Sequence, residues 1–160
     1  MNDVELLKVL AERHLAIHEG RAFFFQEENA TLGTGGKLEV QFITPAGAGK
    51  GAHLHPITLS TDGTESVLEI IEAPTITDGD SAVPLLNMNR GSSNTSGIVA
   101  WNNPTAISLG TTVYTRTIGP GTFQVLLNEL ILAKDTDYVF RLTNNDAGTV
   151  NTYMTVPWTE

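Results

Sequence analysis

Apolar residues fall at helical spacing in one place in this chain, its beginning. Val4, Leu6, Leu7, Leu10, Leu15 and Ile17 recur at intervals near three and four, which predicts a helix over residues 2–18. Asn2 or Asp3 can cap its start, Glu5 lies in the first turn where the helix dipole favours an acid, and Gly20 supplies a stop. Past Gly20 the pattern changes. Ala22-Phe23-Phe24-Phe25 is a short apolar run suited to a buried strand that ends at Glu27-Glu28-Asn29. Leu38, Val40 and Phe42 alternate with Lys37, Glu39 and Gln41, a period of two that predicts a half-buried strand. Residues 52–60 read as one strand that would place His53 and His55 on the same face. Further strands are expected at Val67–Ile71, Val83–Met88, Ile98–Trp101, Val113–Ile118, Tyr138–Thr143 and Val150–Val156, while Phe123–Leu132 fits either a helix or a strand and turn.

Turn signals separate these runs every eight to twelve residues: Thr34-Gly35-Gly36, Thr61-Asp62-Gly63-Thr64, Gly119-Pro120-Gly121 and Asn144-Asn145-Asp146-Ala147-Gly148. Eight to ten short strands at that spacing predict an all-β antiparallel β-sandwich, and the eight-stranded jelly roll matches by count. The expected organisation is an N-terminal helix or arm at residues 1–20 and a sandwich domain at residues 21–160. The arm either folds back on its own sandwich or docks elsewhere. Ala73-Pro74-Thr75 leading to Gly79 is echoed thirty residues later by Asn103-Pro104-Thr105 leading to Gly110. Two copies are too few for a solenoid and suggest two similar connections at strand edges.

Composition narrows the functional classes. A net charge of −9 opposes nucleic-acid binding, which needs clustered Lys and Arg. The chain has no cysteine, so disulfides and thiolate metal sites are excluded. No segment is long and apolar enough to span a membrane. The start, Met1-Asn2-Asp3-Val4-Glu5, lacks the basic and apolar regions of a signal peptide, so synthesis in a cytoplasm is expected.

Candidate chemistry is thin. His14 and His18 stand four apart on the helix but lack the Glu of the zincin motif, since Ala16 follows Leu15; they read as polar histidines near a helix end. His53-x-His55 after a Gly-rich turn suggests a metal-binding cupin. Ser60 and Thr61 stand where a cupin has its Glu, however, and no His follows residue 55. No Gly-x-Ser-x-Gly elbow is present, and Glu65, Glu69 and Glu72 qualify as glycosidase acids by type alone. Asp62-Gly63-Thr64-Glu65 and Asp78-Gly79-Asp80 lack the alternation of a calcium loop and read as turns. The reading is therefore no enzyme, no cofactor and no metal. Loops are the candidate contact sites: Gly47, Gly49 and Lys50 in the Gly-rich loop, and Arg90, Ser92, Ser93 and Asn94 in the polar loop before Ile98.

A set of segments in a particular order carries a family resemblance. They are His18-Glu19-Gly20-Arg21-Ala22-Phe23, Phe42-Ile43-Thr44-Pro45, Leu68 through Gly79, Asn87-Met88-Asn89-Arg90, Glu129 through Lys134 before Tyr138 through Asn144, and Trp158. Together they resemble a family of small proteins encoded in the structural gene modules of tailed phages. The resemblance implies a virion component, a capsid decoration (cement) protein on the outer capsid surface whose partners are the major capsid protein and two further copies of itself. A head fibre, tail or receptor-contacting module is the alternative it leaves open.

Overall fold

A computed structural model describes the backbone of residues 3–47, 51–125 and 130–160, with side chains from residue 11 onward. One helix, α1 (Asp3–His18), precedes strands β1 (Ala22–Leu32), β2 (Lys37–Ile43), β3 (His53–Leu54), β4 (Ile57–Thr61), β5 (Ser66–Glu72), β6 (Thr75–Thr77), β7 (Ser81–Ala82), β8 (Leu86–Asn87), β9 (Val99–Asn102), β10 (Thr105–Ser108), β11 (Thr111–Ile118), β12 (Gly121–Val125), β13 (Asp137–Asn144) and β14 (Val150–Thr159). The all-β antiparallel sandwich expected from the alternation is the architecture observed. One sheet runs β12-β4-β14-β1-β8, with β3 also on β14, and the other runs β11-β5-β13-β2-β9-β7. Short turns carry the chain between sheets at β1–β2, β4–β5, β11–β12 and β13–β14, so each strand of such a pair occupies the same place in its own sheet.

The inner faces meet in one core. Phe23, Phe25, Met154, Val156 and Trp158 come from the first sheet, and Leu38, Val40, Phe42, Leu68, Ile70, Phe140 and Leu142 from the second. Trp158 is fully buried and meets Phe42 edge-on, with ring centroids 4.9 Å apart. Phe42 and Phe140 form a second edge-on pair at 5.5 Å. Such geometries add to the transfer free energy of burying large rings and fix how the sheets face each other. Asn144, also fully buried, donates from Nδ2 to Leu32 O (2.9 Å) and Gly148 O (2.8 Å), tying two turns at one end of the sandwich.

Four expectations are corrected. β1 does not stop at Glu27–Asn29 but continues to Leu32, because its backbone pairs with β14 while its side chains beyond Phe25 turn mostly to solvent. The expected 83–88 strand is broken: Val83 N bonds Ala100 O, Pro84 has no N–H to offer a ladder, and pairing resumes only over Leu86–Asn87. Residues 52–60 are two strands, with His55-Pro56 between them, so His53 and His55 do not share a strand face. Leu15, placed on the apolar stripe, is 54% exposed, whereas its neighbour Ala16 is buried. The side chains of Val4, Leu6, Leu7 and Leu10 lie outside the described residues.

The thirty-residue echo has a structural meaning. β5 and β9 end at equivalent residues, Glu72 and Asn102, and the next residue in each copy has positive φ: Ala73 at 48° and Asn103 at 52°. The chain leaves the sheet there, through buried Pro74 and Pro104, and the two departing segments pair with each other as the β6–β10 ribbon. Each copy then returns beside the strand from which the other left. Ser81 of β7 pairs with Asn102, and Thr111 of β11 pairs with Glu72. The exchange is close-packed. A Cβ on Gly79 would lie 1.7 Å from Asn102 O, and one on Gly110 (φ 83°) would lie 2.9 Å from Glu72 O. Beneath the ribbon, Ile71, Val139 and Gln41 lie in one cross-strand row, buried on the side of the sheet away from the main core. Gln41 Nε2 donates to Asp78 Oδ1 (3.0 Å) at the ribbon's edge.

Candidate functional site

The polar loop after β8 makes bonds within the chain that its residue types do not reveal. Its asparagines close over the end of α1. Asn89 Nδ2 donates to His18 O (3.1 Å), Asn94 Nδ2 to Glu19 O (3.1 Å), and Asn87 Nδ2 to both Gly20 O (2.9 Å) and Asn94 O (3.1 Å). A helix leaves its last carbonyls without partners, and these amides satisfy them from across the chain. Ser92 Oγ accepts from Asn94 N (3.1 Å) and holds the loop in shape. Asn94 and Ser92 thus serve the fold internally, while Arg90 and Ser93 are exposed. The same clamp fastens the end of the helix, His18–Gly20, to the sandwich of its own chain.

The other end of that loop meets the base of the Gly-rich loop. Glu160 accepts from Gly97 N (3.0 Å), from Ser96 Oγ and from Trp158 Nε1 (3.0 Å). Around it lies a cavity of about 120 Å³ lined by Thr44, Pro45, Gly47, Ile98, Lys134 and Glu160, among others. It has room for a few waters and is small for a substrate pocket. Gly47 is at its rim; Gly49 and Lys50 lie outside the described residues.

Among the described residues no group of three or more His, Asp and Glu could hold a metal ion. His53 is exposed on β3, and His55 is half-buried, its backbone N–H bonded to Pro157 O (2.9 Å). Burial, then the Arg13 guanidinium, then His53 push the His55 pKa down to about 4, which holds the ring neutral at pH 7. Tyr138 donates to Glu72 Oε1 (2.6 Å) and accepts from Ala133 N (2.8 Å). Burial first, and then that bond to Glu72, push its pKa up to about 12. Of the carboxylates offered by type, Glu72 is taken by Tyr138, Glu69 by Arg141 (3.6 Å) and Glu65 by Asn145 (3.2 Å).

No protein-family model matches this chain, and no curated protein matches it. Its surface is therefore read from its own charges and contours.

Between Asp80 and Glu129 the chain contains no Asp or Glu, and its only charged side chains there are Arg90 and Arg116. The fold divides this span: β7, β8 and β9 lie towards one edge of the sandwich, and β11 and β12 at the opposite one. β11 and β12 are edge strands of the two sheets, joined by Gly119-Pro120. Each pairs on one side only, with β5 and β4 respectively. Along this flank Leu109 is 83% exposed, and Val113 and Phe123 are each 36% exposed. Leu109 also has a φ of 58°, a left-handed conformation that disfavours a β-carbon and is uncommon outside glycine. Among the described residues this flank presents two outer strand edges, apolar side chains and Arg116 with no carboxylate on its own strands, while Glu28 and Asp62 line a groove at its Pro120–Thr122 end. Depletion of charge combined with exposed aromatic and apolar side chains is the composition of an interface centre. The 48-residue gap between acids is legible in the sequence, but not that only its later part, β11 and β12, forms this flank.

Proposed function

We propose that this chain is a structural protein of a tailed-phage virion, a capsid decoration (cement) protein that binds the outer capsid surface, bridges capsomers and stabilises the head. The flank of β11 and β12, whose own strands hold no carboxylate, carries this reading. In an otherwise acidic molecule it is suited to a large, permanent protein contact. The strand order supports it as well. We read the sets β12-β4-β14-β1 and β11-β5-β13-β2 as the two sheets of a jelly roll, an architecture used in viral coats. The order of segments that resembles tailed-phage structural proteins points the same way. In this reading the major capsid protein is the partner, three copies of the chain associate, and several weak contacts per trimer add by avidity to hold neighbouring capsomers against internal pressure.

The deciding experiment adds purified protein to expanded capsid shells that lack it. Saturable co-sedimentation, density on the outer shell in cryo-electron maps and a higher rupture temperature of decorated heads are expected. Sedimentation of the free protein should give three times the chain mass. Arg116→Glu with Phe123→Asp should abolish shell binding while leaving the far-ultraviolet circular dichroism unchanged. Immuno-labelling confined to the tail, or shells that neither bind nor are stabilised, would reject the proposal.

A further inference from the structure

His14 and His18 lie one turn apart on the exposed side of α1, and their Nε2 atoms are 3.0 Å from each other. With metal–nitrogen bonds of about 2.0–2.1 Å, one ion bound to both atoms would subtend an angle of about 95° at that separation. That is close to the right angle between adjacent ligands of a square-planar or octahedral ion, and a small opening reaches the tetrahedral value. The ring centroids are 4.5 Å apart. Two imidazoles aimed at one shared ion would put their centroids about 4.7 Å apart, whereas two rings bonded head to head would put them about 5.3 Å apart. The rings are therefore splayed as two ligands of a common centre are splayed.

Two features hold this arrangement. Asn89 donates to the backbone carbonyl of His18 and so fixes the end of the helix on the sandwich. His18 is in the last turn, where the negative end of the helix dipole favours a cation. We propose that His14 and His18 form a bidentate site for a late divalent transition metal, with copper(II) and nickel(II) bound more tightly than zinc(II), and with the remaining positions open to water or to a donor from another molecule. Imidazole donors at a right-angle bite suit copper and nickel, and the general affinity order points the same way. The site is independent of the proposed virion role and of the β11–β12 flank.

The test titrates the full chain with nickel(II), copper(II) and zinc(II) separately, following heat for all three and electron paramagnetic resonance for copper. The expected result is one ion per chain, with a nitrogen hyperfine pattern from two imidazoles. His14→Ala or His18→Ala should each weaken binding by a factor on the order of ten or more, because each removes half of the chelate. Both positions are exposed on the helix, so the variants should keep the parent's melting temperature without metal. His53→Ala should bind as the parent does. Affinity and stoichiometry unchanged in both helix variants would overturn the proposal. So would the absence of binding at metal concentrations on the order of 100 µM, which is weaker than a two-imidazole chelate should be.

Discussion

Gly79→Ala is the sharpest test of the ribbon exchange. The added methyl would sit 1.7 Å from Asn102 O, 2.6 Å from the carbonyl carbon and 3.2 Å from Pro104 N, all of them backbone atoms rather than the end of a side chain that could swing away. Relief requires the ribbon to move by more than 1 Å, as judged from ordinary contact distances of about 3.2–3.4 Å. Such a shift lengthens the Asp80 N–Asn102 O bond (2.9 Å) and the Gln41–Asp78 bond (3.0 Å). Gln41 is 1% exposed and its Oε1 already lacks a partner, so the second loss would strand the whole amide. Overpacking costs about 1–3 kcal/mol and a stranded buried donor about 1–3 kcal/mol, so the sum is roughly 3–5 kcal/mol. For a domain of this size that lowers Tm by on the order of 10 °C. Differential scanning calorimetry on three variants provides the comparison. Gly79→Ala should fall the furthest. Gly110→Ala, with its contacts at 2.9–3.0 Å and positive φ, should lose roughly 1–3 kcal/mol. Gly47→Ala, with nothing within 4 Å of the new methyl, should melt with the parent. A Gly79→Ala protein melting within about 2 °C of the parent would refute the close exchange of the two copies.

Trp158→Ala removes the largest fully buried side chain and should cost about 3–5 kcal/mol in urea unfolding; a loss under about 1 kcal/mol would mean the aromatic cluster is not the centre of the core. His55 should make stability fall in mild acid. Its folded pKa is about 4 against an ordinary 6.5, so the unfolded chain takes up the proton first, and the contribution is complete above 6.5 and lost as pH drops towards 4. Full conversion gives about 3 kcal/mol, and screening at this half-exposed site reduces it to roughly 1–2 kcal/mol; His55→Gln should flatten that part of the pH–stability curve, and an unchanged slope would remove His55 as its cause. Tyr138 should ionise only near pH 12 in the native protein, and because its folded pKa is raised its contribution is full below pH 10 and declines above it. Ultraviolet titration should show one of the three tyrosines delayed, and Tyr138→Phe should remove that late step.

Much of the fold was legible because burial imposes a period. Leu38, Val40 and Phe42, and likewise Leu68 and Ile70, alternate because one side of each strand faces the core, and both strands formed where the alternation placed them. The helix was legible from its spacing and stop, but not the exposure of Leu15 at its end, because that depends on what the helix packs against. The Pro-Thr echo was legible as a repeat, but its reciprocity was not: Thr75 and Ser108 are 33 residues apart, and nothing local states that they pair. The internal bonds of the polar loop were not legible for a related reason. Asn and Ser in a row signal a turn, and the sequence does not tell whether their amides face water or a helix end seventy residues away.

The sequence by itself determined the alternation, the turns, the absence of cysteine chemistry and the concentration of acids outside residues 81–128, since these are properties of residue type and order. Tertiary structure alone decided which asparagines cap α1, that His14 and His18 converge at 3.0 Å, and that the acid-free span is divided between opposite edges of the sandwich, with β11 and β12 side by side at one of them. The physical reason is that hydrophobic burial acts on each position through its own side chain, whereas hydrogen bonding, chelation and surface charge depend on distances between residues that only the folded chain brings together.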